Sequence, residues 1–121
     1  MAFYNEISNS SNFVISFTEN PANDLSIYSR GYRLSAERLT KIILEASHFG
    51  DYEAYPIIFL YCHALELSLK HIIYSCVLLA KLNNRDDIEY ELQNNHDFNN
   101  LSKMSANLLS LLFPNDEDIK N

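Results

Sequence analysis

Five residues hold most of the chemistry that this chain could perform: His63, Glu66, Lys70, Tyr74 and His96. The first four follow one another at steps of three, four and four. At about 100° per residue on a helix they share a strip roughly 80° wide. Imidazoles exchange protons near neutral pH, and a carboxylate beside one can hold it in a working orientation. Glu66 and Lys70 stand in the favoured order for a helical ion pair, worth about 0.2–0.5 kcal/mol on an open surface. Apolar residues such as Ile73 and Leu67 border the strip, which leaves two readings. One is an ordinary solvated stripe. The other is a partly buried polar network facing a cleft or a second subunit, in which Glu66 holds His63 and Lys70 balances its charge. His96, beside Asp97 at the head of a later helix, reads as a capping or loop histidine or as an acid–base group.

Arg30, Arg33, Arg38 and Lys41, with Glu37 among them, share the solvent side of an earlier helix. They form either a solvated face or a patch for RNA phosphates. His63 and Glu66 have metal-ligand spacing, but carboxylate metal sites in helical bundles need paired motifs in the Glu-first order and further glutamates, so no metal is expected. No Gly-rich phosphate loop, Cys/His zinc grouping or nucleophile elbow occurs, and no cofactor is implied. Cys62 and Cys76 lie about 21 Å apart along a single helix, which excludes a disulfide between them and reads as two reduced, buried thiols.

The elements that must position these residues are helical. Two glycines and three prolines in 121 residues supply too few turns for a many-stranded fold. The spacing predicts a first helix from about Asp24 to Gly50, with an apolar stripe of Leu25, Tyr28, Tyr32, Leu39, Ile42, Ala46 and Phe49. Gly31 inside it suggests a close approach by another backbone. A second helix runs from Pro56 to about Lys81, ahead of Asn83-Asn84, roughly 39 Å long and central to the fold. Its broad apolar face is Leu65, Leu69, Ile72, Cys76 and Leu79. A third begins at His96 or Asp97, buries Phe98, Leu101, Met104, Leu108 and Leu111, and ends near Pro114. This is one domain over 1–121, all-α, an antiparallel bundle of about four helices. Residues 1–23, with the apolar run Phe13–Phe17, form an N-terminal extension, and 113–121 a C-terminal tail.

The chain carries a formal charge of −7, which opposes wholesale binding to nucleic acid or anionic lipid. Charges and histidines interrupt the longest apolar run and the first residues do not form a signal peptide, so the expected location is cytoplasmic, without a membrane span.

The run Tyr55-Pro56-Ile57-Ile58-Phe59-Leu60-Tyr61-Cys62-His63-Ala64-Leu65-Glu66-Leu67-Ser68-Leu69-Lys70, followed by His96-Asp97-Phe98-Asn99-Asn100-Leu101, resembles the HEPN superfamily of small prokaryotic helical bundles. The resemblance covers about 25 to 112. It implies an antiparallel bundle that dimerises and a setting in bacterial defence or toxin–antitoxin systems, where many members cleave RNA without metal through an Arg placed shortly before a His. Here ten residues separate Arg85 from His96, and Cys62 stands just before His63. The resulting expectation is a homodimeric interaction module that binds a partner protein or RNA. Its rivals are a metal-independent endoribonuclease using His96 with His63, and an acidic phage-type inhibitor that mimics nucleic acid through Asp86–Glu91.

Overall fold

The computed structural model describes residues 21–85 and 96–116. Phe13–Phe17, Asp86–Glu91 and the end of the tail lie outside them. Every element among the described residues is helical: α1 (Pro21–Glu45), a single 3-10 turn (Asp51–Glu53), α2 (Ala54–Leu82) and α3 (Phe98–Leu112). The three long elements are those the sequence marks, except that α1 starts at Pro21, inside the expected extension, and stops at Glu45, so Ala46 and Phe49 lie beyond it; a fourth helix is not among the described residues.

The termini follow local chemistry. Pro21 opens α1, where its missing N–H has no partner to lose. Gly50 donates its backbone N–H to the Glu53 carboxylate at 2.7 Å, fixing the turn that leads into α2. α2 ends where Asn84 adopts φ 60, a left-handed conformation that Asn tolerates. There the Arg85 N–H reaches the Ala80 carbonyl and the Asn84 N–H the Lys81 carbonyl, the Schellman pattern. Asp97 caps α3 by accepting the Asn99 N–H at 2.9 Å.

α2 lies between α1 and α3, which make no close approach to each other. α1 runs antiparallel to α2: Ser29 meets Ala64 and Ser68, while Tyr32, further along α1, meets the earlier His63. The contact line on α1 is Leu25, Ser29, Tyr32, Ala36, Thr40 and Ile43, displaced by one residue from the expected stripe over much of its length. Small side chains explain the displacement. Ser29 and Ala36 are buried and let the helices approach closely, whereas the larger Tyr28, Leu39 and Ile42 are left exposed. Gly31 has open space around it, so no neighbouring backbone accounts for it.

α3 departs from the antiparallel expectation and runs in the same direction as α2. His96, at its head, contacts Glu66, while Leu109 and Phe113, at its end, border a groove with Cys76 and Leu79. The end of α2 and the head of α3 therefore lie roughly 24 Å apart along the α2 axis. Ile73, Cys76 and Ala80 pack with Leu101 and Leu108 to form the core, supported by Leu69, Ile72, Met104 and Leu112. Leu65, Leu79, Phe98 and Leu111 are exposed, against expectation, and so is Cys62; only Cys76 is a buried thiol.

The helical stretch Asp51–Leu82 is long and apolar enough to cross a membrane by length and composition. Its mid-length carries Glu66 and Lys70, both buried in this fold.

Candidate functional site

The strip singled out in the sequence is the seam where α2 meets the head of α3. Glu66 is only 8% exposed and Lys70 only 7%. Lys70 Nζ donates to Glu66 Oε1 at 2.7 Å, and His96 Nδ1 lies 2.8 Å from the same oxygen. His63 Nδ1 is further away, 3.8 Å from Oε2. The carboxylate thus holds His96 more closely than the expected His63. Glu66 and Lys70 meet because one helical turn separates them; His96 joins because Asp97 caps α3 at that level of α2. Tyr74 continues the strip and is half-buried.

His63 sits in an aromatic frame, with Tyr32 edge-on at 4.5 Å and Phe59 stacked at 6.0 Å between centroids. Tyr32 already lay on the predicted stripe of the first helix, so that half of the frame was readable in the sequence. The His96–Glu66 link, across thirty residues, had no such signal.

Burial pushes the Glu66 carboxyl upward, but the Lys70 and His96 hydrogen bonds, with the charges behind them, outweigh it and hold the group below its ordinary value. As a carboxylate Glu66 can only accept, so His96 Nδ1 carries the hydrogen of that contact. Nε2 then faces outward on a side chain 69% exposed, where it can take or give a proton. Among the described residues no group of three His, Cys, Asp or Glu is arranged to hold a metal.

The basic patch is remote from this seam. Arg30, Arg33, Arg38 and Lys41 are exposed on the side of α1 turned away from α2, and Arg33 is paired with Glu37 at 2.5 Å. Among the described residues no hydrogen bond or ion pair joins an arginine of α1 to His96. A second feature, not foreseen from the sequence, is a shallow, mostly apolar groove of about 280 Å³ between α2 and α3. His71 borders it, with a buried Nδ1 that has no hydrogen-bond partner. Burial raises the Cys76 thiol in the same wall.

Comparison with known proteins finds no matching family model, no curated protein and no solved structure.

Proposed function

We propose that this chain is a HEPN-like interaction module of a bacterial defence or toxin–antitoxin type system, working as a homodimer in the cytoplasm and engaging a partner protein or RNA. The observation that supports it most is the coverage of α2. Its second half packs on α3, while Tyr55, Ile58, Phe59 and Leu65 in the first half stand exposed. Exposed apolar side chains gathered along one helix face suit association better than chemistry. The HEPN affiliation, with its defence setting and its fourth helix, rests on the resemblance around Glu66, Lys70 and His96.

One observation favours a second reading, a metal-independent endoribonuclease. Glu66 orients His96 with Nε2 outward, the arrangement a general base needs to act on a ribose 2′-hydroxyl. Against it, among the described residues no arginine contacts His96, where a guanidinium would steady a scissile phosphate. Incubating the purified chain with structured and unstructured RNA in the presence of EDTA separates the two. The module reading expects intact RNA; cleavage that disappears in His96→Ala would replace it.

A further inference from the structure

We infer that the uncovered first half of α2 is the seat of the second copy, with the two α2 helices meeting antiparallel and their Cys62 residues close to the two-fold axis. This rests on the homodimer reading above and gives it a surface and a register.

Tyr55, Ile58, Phe59, Cys62 and Leu65 recur at steps of three and four, within about 120° of arc on the helix. The same arc, continued toward the C-terminus, contains Leu69, Ile73, Cys76 and Ala80, the side that packs with α3. α2 has 29 residues and α3 only 15, so α3 runs out of reach just where Glu66 meets His96. What lies beyond is the same apolar surface, which no other described element covers. Tyr55 is 69% exposed, Ile58 56%, Phe59 65% and Leu65 54%.

Charge selects the occupant. Two molecules at −7 each repel overall, which favours a meeting surface where neither presents a charge. From Ala54 to Leu65 there is no Asp, Glu, Lys or Arg. Such a stripe offers nothing to a phosphate backbone or an acidic lipid surface, but it complements itself in an isologous contact. With Tyr61 included the patch amounts to roughly 600 Å² a side, the lower end of what a stable pair requires. The stripe is centred near residue 60. In an antiparallel pairing the two Cys62 positions are then offset by about 6 Å along the axis and separated by the usual 8–10 Å between helices. In the single chain, which exchanges with the dimer, the Cys62 thiol is exposed and the Cys76 thiol buried, so a thiol reagent meets only the former.

Light scattering of the full chain at tens of micromolar should give twice the 14.0 kDa chain mass. Ile58→Glu and Leu65→Glu should each halve it while circular dichroism stays helical, and Leu44→Glu, an exposed change on α1, should leave it doubled. A short bis-maleimide, whose two alkenes each add one thiol S–H, should join the chains of the wild type and fail with Cys62→Ser. A doubled mass that survives Ile58→Glu and Leu65→Glu, or a dimer that the reagent does not join, overturns the surface and register but leaves the homodimer standing. A mass of 14.0 kDa at every concentration removes both.

Discussion

Replacing Glu66 by Ala should cost about 2–4 kcal/mol of folding stability. The substitution leaves the Lys70 ammonium, 7% exposed, without its counter-charge, and it deletes the hydrogen bond to Oε1 at 2.7 Å. Removing one member of a fully buried pair costs about 3–5 kcal/mol. The lower figure is apt here because the long Lys70 stem lets its ammonium turn toward water at the edge of the seam. Loss of the His96 hydrogen bond adds less than the stranding of Lys70, because the His96 ring is more solvated. Glu66→Gln keeps the shape and one acceptor and should lose about 1–2 kcal/mol. The double variant Glu66→Leu with Lys70→Met removes both charges and leaves no polar atom stranded, so it should return to within about 1 kcal/mol of the wild type. Urea unfolding of the four proteins measures this, provided the slope is unchanged among them. A Glu66→Ala loss below about 0.5 kcal/mol, or a double variant no more stable than the worse single one, would refute the claim that the pair is desolvated.

Two further outcomes follow from named groups. The Glu66 carboxyl is held below its ordinary value, so its contribution is fully present above the unfolded value of about 4.3 and is lost as pH falls through the lower folded value; acid titration of stability should show a smaller decline in Glu66→Gln than in the wild type. Gly31→Ala should stabilise the protein by about 0.5–1 kcal/mol, because a methyl group there meets open space on a helical backbone, and a lower melting temperature would contradict it.

Helix identity was legible in the sequence because apolar periodicity and end signals agreed, with Pro56 at a start, Asn83-Asn84 at a stop and Asp97 as a cap, whereas the start of α1 at Pro21 was missed. Which side of each helix is buried was harder to read. On α1 hydrophobicity favoured Tyr28, Leu39 and Ile42, but packing chose Ser29 and Ala36, since small residues permit the closer approach to α2. The parallel course of α3 could not be read from short-range pattern at all, because it depends on where the chain returns after Asn83. The same blind spot hid the His96 contact. His96 reaches Glu66 only because the third helix starts level with the middle of the second. Glu66 and Lys70 themselves were readable as a pair bordered by apolar neighbours, but the spacing alone left open whether solvent or protein covered them.

The position of that pair carries a physical meaning of its own. A 15-residue helix lying on a 29-residue apolar face has several registers of similar burial, because sliding by one turn exchanges one set of Leu and Ile contacts for another. Hydrophobic area does not discriminate among them; a polar contact with a single satisfactory geometry does. The Glu66–Lys70 pair supplies that contact, and His96 at the head of α3 is the group that finds it. Any other register would bury the same carboxylate without its third partner, at the cost of an unmet hydrogen bond. The seam therefore divides α2 into a half that α3 covers and a half that it leaves exposed. On this argument the double variant of Glu66 and Lys70 should keep its stability and lose its single register, visible as broadened amide resonances confined to α3. Sharp, unshifted α3 resonances in that variant would show that packing alone sets the register.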